Sequence, residues 1–141
     1  MDNYPVKLNL RIDWSEMDLF GHVNNVAYFK YIQASRVNYW ESIGLVRIFE
    51  ENKIGPILLS ASCQFRKPLR YPGNIVIQAR MDFIKNTSFG IHHQVLNEQN
   101  EIAAEAQDVI VMYDFNKNSK VPFPDGYRRV VEKMENRDFG V

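Results

Sequence analysis

A chain of 141 residues is long enough to build one domain around a buried core. Its 17 Lys plus Arg balance 17 Asp plus Glu, so the charge gives no reason to expect a nucleic-acid or membrane partner. The lone Cys63 excludes an intrachain disulfide and favours a reducing compartment. No signal-peptide pattern opens the chain, and no apolar run reaches the roughly 18 residues of a membrane span. We therefore expect a soluble, cytoplasmic protein with a single domain over residues 1–141.

The first two predicted elements are a strand and a long helix. Apolar and polar residues alternate strictly from Val6 to Asp13, which is the period of a strand buried on one face. Asn24 or Asn25 can cap a helix over about 26–42, and Gly44 can end it. Its apolar residues cover more than one stripe, which indicates that the helix is wrapped on several sides: Tyr28, Phe29, Tyr31, Ile32, Val37, Tyr39, Trp40 and Ile43.

Four further strands follow a short helical connection at residues 45–51. Pro68, Pro72 and Gly73 mark the turn after the first of these strands. The order predicts an α+β fold, with one antiparallel five-stranded sheet wrapped around one long central helix. The alternation predicts these inward-facing residues: Ile57, Leu59, Ala61, Cys63 and Phe65; Ile75, Ile77, Ala79, Met81 and Phe83; Phe89, Ile91, His93 and Val95; Val109, Val111, Tyr113 and Phe115.

The expected core spans about residues 5–123. The polar tail 125–141 has no clear apolar stripe, which leaves open a short helix, a frayed end or a contact with a partner. His93 lies on a predicted inward face, where a histidine is more often a hydrogen-bonded core residue than a functional one.

The candidate catalytic residues lie in the loop before the long helix, where Glu16, Asp18 and His22 precede the Asn-Asn pair. The first N–H groups of a helix lack intrahelical partners and carry partial positive charge. A reacting carbonyl placed there would find hydrogen-bond donors beside an acid. Other readings remain open, because Asp18 could form an Asx turn and His22 could be only a hydrogen-bonding loop residue. Glu16 is expected to be solvated.

The sequence motifs of several other kinds of catalytic or binding site are absent. The sequence contains no Ser-His-Asp elbow, no Cys/His metal spacing and no phosphate-binding glycine loop. We therefore expect neither a metal nor a cofactor.

The order of elements, together with D-x-x-G-H-V-N-N-x-x-Y at Asp18–Tyr28, resembles the hotdog-fold thioesterases. The similarity extends from Leu8 to about Phe123 and is specific over residues 14–36. FRKPLRYPG at residues 65–73 resembles that family's turn between the second and third strands, and NTSFG at residues 86–90 resembles the start of its fourth strand. The chain is similar to the 4-hydroxybenzoyl-CoA thioesterase-like acyl-CoA thioesterases and, locally, to the acyl-ACP thioesterases.

The resemblance implies roles for individual residues. Asp18 would be the nucleophile or the base that activates water, and His22 would assist it. Asn25 would offer its backbone N–H to the thioester carbonyl. Contacts to the rest of the substrate, including phosphates, would come from Gly21, Val26, Tyr28, Arg66, Lys67, Arg70, Lys85, Thr87 and Ser88.

The implied reaction converts an acyl-CoA to a free carboxylic acid and CoA, so CoA is part of the substrate and not a cofactor. Alternatives are an acyl-ACP thioesterase, a hotdog hydratase or dehydratase, and a non-catalytic acyl-thioester-binding module. A single curled sheet leaves exposed edges, which proteins usually cover by pairing. We therefore expect a homodimer or a homotetramer, and the resemblance implies an active site at the subunit interface.

Overall fold

The computed structural model describes residues 3–140, so residues 1, 2 and 141 of the predicted domain lie outside the described part. Six strands form one sheet: β1 (Val6–Arg11), β2 (Ile54–Phe65), β3 (Asn74–Ile84), β4 (Ser88–Leu96), β5 (Ile102–Asp114) and β6 (Ser119–Lys120). All pairings are antiparallel, in the order β1-β3-β4-β5-β2, with β6 on β5. The predicted hotdog class is confirmed. The predicted count of five strands is corrected by the two-residue β6, which folds back onto Tyr113 and Asp114.

The long central helix, α1 (Asn25–Ile43), agrees with the prediction to within one residue at each end. Asn24 is its N-cap, because the side-chain oxygen accepts from the N–H of Ala27 at 2.8 Å. Gly44 ends the helix, and α2 (Leu45–Asn52) follows directly, as expected for the helical connection. No helix within residues 3–140 is long and apolar enough to cross a membrane.

Helix α1 buries only part of its apolar surface. It packs mainly on β1 and β3, and Tyr31, Ile32 and Tyr39 are at most 3% exposed. The expectation that the helix is wrapped on several sides is wrong for Phe29 and Val37, which remain 39% and 38% exposed. The reason is that the sheet covers mainly one flank of the helix. The other flank remains open to solvent.

The inward face of β5 is opposite to the prediction. The even-numbered residues Ala104, Ala106, Asp108, Ile110 and Met112 are all buried, whereas the only buried odd-numbered residues of β5 are Ala103 and Val111. Of the four predicted residues, Val111 is buried but Phe115 lies beyond the strand and is 39% exposed. Asp108, a charged residue in the middle of the buried face, concealed its period. Its burial is compensated by contacts with Arg36 and His93.

Register shifts in β2 and β3 explain two further corrections. A shift between Met81 and Phe83 makes Ile84, not Phe83, the buried residue at the end of β3. A second shift between Leu58 and Ser60 leaves Leu59 55% exposed on the outermost strand. At such a bulge the side chains that follow change faces of the sheet. The alternation of residue types in the sequence does not show where this happens.

The first part of the polar tail is the helix α3 (Asp125–Glu135), so of the alternatives for these residues the short helix is correct and the frayed end is wrong. Val131 is fully buried, so the core extends beyond the predicted limit at residue 123. Glu135 accepts hydrogen bonds from the Tyr39 hydroxyl at 2.5 Å and the Met81 N–H at 2.7 Å. Burial raises the pKa of Glu135 above its ordinary value. The helix is thereby fastened to both α1 and β3.

Candidate active site

Asp18 lies in a tight turn between β1 and α1. Its N–H donates to the carbonyl of His22 at 2.7 Å, and its Oδ1 accepts from the N–H groups of Phe20 and His22 at 2.9 and 3.1 Å. Gly21 has φ +83°, a conformation that glycine adopts without the steric cost of a side chain. The Asx turn considered from sequence is therefore present, and it fixes the direction of the carboxylate.

The Asx turn occupies only one oxygen of Asp18. Within residues 3–140, its Oδ2 has no hydrogen-bond or ion-pair partner, and the residue is exposed. Oδ1 therefore holds the loop through its hydrogen bonds, while the lone pairs of Oδ2 remain available. The turn and a chemical role for Asp18 are compatible.

The first turn of α1 presents two free donors. The N–H of Ala27 is satisfied by both the carbonyl and the side-chain oxygen of Asn24, at 3.1 and 2.8 Å. The N–H groups of Asn25 and Val26 have no acceptor among the described residues, and both residues are exposed. They lie at the positive end of the helix dipole, where a carbonyl oxygen gaining negative charge is stabilised.

The expectation that Glu16 is solvated is wrong, since it is only 8% exposed. Its carboxylate accepts from the Tyr31 hydroxyl at 2.6 Å and the Asp13 N–H at 3.0 Å, and it pairs with Lys30 at 3.2 Å. Its carbonyl accepts from both nitrogens of Asn24. Burial raises the pKa of Glu16, but these hydrogen bonds outweigh burial, so the pKa is below its ordinary value. Glu16 therefore holds the loop against the start of α1.

The loop, the helix start and the chain after β2 line an open pocket of about 360 Å³, which we call the polar pocket. The Val23 N–H donates to the carbonyl of Leu69 at 2.8 Å, which ties the loop to this segment. The Tyr28 hydroxyl donates to the carbonyl of Lys67 at 3.2 Å, and its ring meets Phe65 edge-on at 5.0 Å. The polar pocket is lined by Asp18, His22, Val23, Asn25, Tyr28, Phe65, Arg66, Lys67 and Pro68.

Two of the predicted phosphate contacts are already engaged in ion pairs. Arg66 pairs with Glu105, and Lys67 pairs with Glu101, each at 2.8 Å between the charged atoms. Solvent-exposed pairs of this kind contribute little to stability, so an incoming phosphate can compete for the cations. The two residues line the pocket as predicted, and their role stays a prediction.

The imidazole ring of His22 contacts Arg70 and not the carboxylate of Asp18. The Arg70 guanidinium lies 3.0 Å from Nε2 of His22, and a guanidinium can only donate. Nε2 is therefore the acceptor, which places a proton of the ring on Nδ1. The described contacts between His22 and Asp18 run through the backbone N–H and carbonyl of His22.

Residues 12–131 match the model of the thioesterase-like superfamily. The chain belongs to this superfamily. The resemblance inferred from the motif at residues 18–28 is thereby confirmed. Among residues 3–140, this thioesterase-like chain contains no cluster of three His, Cys, Asp or Glu able to hold a metal ion.

Individual relatives agree with the family assignment. The chain is 30% identical over 125 residues to an acyl-acyl carrier protein thioesterase, ATL3, from Arabidopsis thaliana, covering 86% of this chain and 65% of that protein. It thus spans slightly less than two thirds of that relative. A Thermus thermophilus thioesterase solved with coenzyme A and zinc superposes with a TM-score of 0.85 at 21% identity, covering 98% of this chain and 99% of its own. The PA2801 protein of Pseudomonas aeruginosa superposes with a TM-score of 0.80 at 25% identity, covering 89% of this chain and 97% of its own.

Three predicted substrate contacts lie away from the polar pocket in this thioesterase-like chain. Lys85, Thr87 and Ser88 lie at the turn joining β3 to β4, where Lys85 stacks on a ring and Thr87 accepts from a backbone N–H of β5. Strand β3 begins beside the Asp18 loop and ends at this turn, about 33 Å away by strand length. Within one chain these residues therefore lie apart from the polar pocket, and their predicted contact with the substrate stays a prediction. A second subunit would have to supply them.

The sequence did not single out Phe65, Val23 and Pro68 as pocket residues. Phe65 was expected in the core but is 49% exposed at the end of β2, where it forms a wall of the pocket. One feature of the sequence could have predicted Phe65 as a pocket residue: it lies directly before the Arg-Lys-Pro turn. Side chains at the end of a strand lie next to the loop that follows, and binding residues are often found on loops.

Proposed function

We propose that this chain hydrolyses acyl thioesters. The observation that carries the proposal is that Asp18 and Asn25 line the same polar pocket, with the backbone N–H of Asn25, like that of the next residue Val26, left without an acceptor in the described part of the chain. A thioester carbonyl bound at the helix start would receive two donors for its developing negative charge. Its carbonyl carbon would then lie close to an acid with one uncommitted oxygen.

Asp18 can act by either of two balanced routes. As a base, it takes a proton from water while the water oxygen attacks the carbonyl carbon; the C–S bond then breaks and the proton passes to sulfur. As a nucleophile, it forms a mixed anhydride with loss of the thiol, and water then cleaves the anhydride. Both routes yield one carboxylic acid and one thiol. His22, held by Arg70, assists by orienting water.

Coenzyme A is the carrier we propose first. Similarity to a thioesterase solved with coenzyme A and the Arg66, Lys67 and Arg70 side chains at the pocket rim support it. Acyl carrier protein is the second candidate, because the 30% identical Arabidopsis relative is an acyl-acyl carrier protein thioesterase. The unpaired Cys63 supports a reducing, cytoplasmic location.

We further propose a homodimer, or a homotetramer built from it. Strand β2 is an outermost strand of the sheet and carries exposed Leu58, Leu59 and Phe65. On α1, Val26 and Phe29 add exposed apolar surface. An unpaired edge with apolar side chains is typical of a surface that another strand covers, which favours pairing of two copies along β2.

The test is release of free thiol from short, long and aromatic acyl-CoA thioesters and from acyl-ACP. Wild type is compared with Asp18→Asn, since asparagine retains the Oδ1 acceptor of the turn but cannot act as a base or nucleophile. Asp138→Asn is the matched control, because Asp138 is an exposed aspartate that accepts from the N–H two residues later in the same way. We expect release by wild type and by the control, and a loss of at least about 100-fold for Asp18→Asn.

Three outcomes would contradict the proposal. Thiol release that is equal in wild type and Asp18→Asn would remove Asp18 from the reaction. Addition or loss of water at the acyl chain without thiol release would indicate a hydratase or dehydratase. Tight binding of a thioester without any turnover would indicate a binding module.

A further inference from the structure

A row of polar side chains crosses the sheet on the face opposite α1. The strand register places Gln78, Gln94, Glu105 and Gln64 side by side on β3, β4, β5 and β2. Nε2 of Gln78 donates to Oε1 of Gln94 at 2.7 Å, and Nε2 of Gln94 donates to Oε1 of Glu105 at 3.1 Å. Glu105 is therefore tied to the two strands on one side of it in the sheet.

The carboxylate of Glu105 is engaged at both oxygens. Its Oε1 accepts from Gln94 and lies 3.2 Å from Nε2 of His92. Its Oε2 accepts from Nε of Arg66 at 2.9 Å and lies 2.8 Å from Nη2 of the same residue. These hydrogen bonds, first of all the one from Gln94, hold the pKa of Glu105 below its ordinary value although the side chain is partly buried. Glu105 is therefore ionised at neutral pH and held in one position.

The contacts of Arg66 engage only one edge of its guanidinium. Nε and Nη2 contact Glu105, and Nη2 also donates to Oε1 of Gln64 at 3.1 Å. Within residues 3–140, Nη1 of Arg66 has no hydrogen-bond acceptor. The guanidinium is planar and rigid, so fixing one edge also fixes the direction of the two N–H groups on Nη1.

The backbone places this guanidinium beside the polar pocket. The N–H groups of Arg66 and Lys67 both donate to the carbonyl of Ala103, at 2.8 and 3.1 Å. The hydroxyl of Tyr28 donates to the carbonyl of Lys67 at 3.2 Å. The chain after β2 is thus fixed between β5 and the first turn of α1, and Arg66 lines the pocket that also contains Asp18. An anion bound there can accept from Nη1 without displacing Glu105.

We infer that Glu105 is a positioning residue for substrate binding, which fixes Arg66 so that the two N–H groups of Nη1 bind a phosphate of the thiol carrier. This inference rests on the proposed hydrolysis of acyl thioesters. Glu105 is not among the residues that line the polar pocket, so it acts through Arg66. The ligand chemistry is a phosphate attached to the pantetheine arm, which coenzyme A and acyl carrier protein share.

The first experiment compares three thioesters of one acyl group. Acyl-CoA carries the nucleotide phosphates, acyl-4′-phosphopantetheine keeps only the phosphate that carrier proteins also have, and acyl-pantetheine has none. We expect Glu105→Gln to raise KM for acyl-CoA about fivefold, the size expected for an exposed ion pair, with kcat unchanged. The KM for acyl-pantetheine should keep its wild-type value, because no phosphate is there to bind.

Acyl-4′-phosphopantetheine distinguishes the two sources of the phosphate. An equal rise in KM for this thioester would assign the contact to the phosphate shared with carrier proteins. A wild-type KM would assign the contact to the nucleotide phosphates of coenzyme A. Either result supports the positioning role, provided that KM for acyl-CoA rises.

Glu132→Gln is the matched control. Glu132 is a partly buried glutamate of α3 that accepts from the Phe139 N–H at 3.1 Å. The substitution therefore removes the same charge at a residue that does not line the polar pocket. It should leave KM and kcat unchanged for all three thioesters.

A second experiment asks whether Glu105 acts through Arg66. Arg66→Gln alone should raise KM for acyl-CoA at least as much as Glu105→Gln does. Adding Glu105→Gln to Arg66→Gln should raise KM no further, because no guanidinium remains to be positioned. Two effects that multiply in the double variant would mean that Glu105 acts by another route, and would overturn the inference.

The remaining outcomes separate the inference from the function on which it rests. No thiol release from any of the three thioesters would overturn both. Release with an unchanged KM for acyl-CoA in Glu105→Gln would overturn the inference alone. A lower KM would do the same, since Glu105 would then compete with the phosphate for Arg66. An equal rise in KM for acyl-pantetheine, or a loss confined to kcat, would also overturn it by showing a general effect on the site.

Discussion

The hydroxyl of Tyr31 lies 2.6 Å from Oε1 of Glu16, and this buried hydrogen bond joins the second turn of α1 to the loop that carries Asp18. The same carboxylate caps the turn at residues 13–16, and the carbonyl of Glu16 holds Asn24. Glu16 therefore contacts both the start of α1 and the loop that carries Asp18. Neither the acid nor the free N–H groups of the polar pocket can move far without breaking these contacts.

Removing only the Tyr31 hydroxyl should loosen this connection. We expect Tyr31→Phe to lower the free energy of unfolding by about 1.5–3 kcal/mol, because a buried hydrogen bond to a charged carboxylate is lost. Urea unfolding measures the change. Tyr113→Phe is the control, since the Tyr113 hydroxyl makes no hydrogen bond with any residue in the range 3–140. A Tyr31→Phe protein as stable as this control would show that Glu16 does not depend on the hydroxyl.

The Asn24 cap offers a second test of the helix start. Asn24→Ala should lower stability by about 0.5–2 kcal/mol, because the Ala27 N–H loses its side-chain acceptor. It should also lower kcat, since a frayed first turn no longer holds the N–H groups of Asn25 and Val26. Asn24→Ser keeps a capping oxygen without placing a carboxylate oxygen against the Glu16 carbonyl, so it should retain more of the stability than Asn24→Ala. Thermal unfolding and thiol release, measured together, check both effects; equal losses for the two variants would contradict the capping role.

Sequence patterns that extend over a few neighbouring residues were sufficient to predict the first strand and the long helix. The alternation at Val6–Asp13, the asparagine cap and Gly44 predicted β1 and α1 almost to the residue, because caps and periodicity act over a few neighbouring positions. The Asp18–His22 motif likewise predicted which loop lies beside the helix start. Asp18, His22 and Asn25 do line one pocket.

Long-range contacts explain what sequence patterns missed. Glu16 looked solvated because its partner Tyr31 lies fifteen residues away. The face of β5 was misassigned because Asp108 is neutralised by Arg36, seventy-two residues distant. A pocket of about 220 Å³ that joins residues from α1, α2 and β2 with Phe115 was not predicted either. None of these pairings leaves a periodic signal in a single sequence.

The buried Arg36–Asp108 pair should contribute far more to stability than an exposed pair. Arg36 Nε lies 2.9 Å from Asp108 Oδ2, and the two side chains are 8% and 0% exposed. Asp108→Ala leaves the guanidinium buried without its counter-charge, so we expect a loss of about 3–5 kcal/mol in urea unfolding. Glu101→Ala breaks the exposed pair with Lys67 and should cost less than about 1 kcal/mol. Similar losses for the two variants would show that the buried arginine finds another partner or water.

His93 should make the stability of the fold depend on pH. It is fully buried, with Nε2 2.6 Å from Oδ2 of Asp108 and Nδ1 2.8 Å from Oγ of Ser35. Burial lowers the pKa of His93, and the hydrogen bond to Asp108 offsets this only in part. The folded protein therefore keeps His93 neutral at pH values where the unfolded chain, with a histidine pKa of about 6.5, already binds a proton.

The sign of the pH effect follows from this difference. Below about pH 6.5 the unfolded state binds more protons at this residue than the folded state, so the free energy of unfolding falls as the pH is lowered. We expect the fall to approach about 1.4 kcal/mol per pH unit for this single group, and to vanish above about pH 7.5. Urea unfolding at pH 7.5, 6.5 and 5.5 measures it in wild type and in His93→Gln. Glutamine cannot bind the proton, so the variant should show a shallower slope whatever its absolute stability; equal slopes would mean that His93 is not the group that titrates.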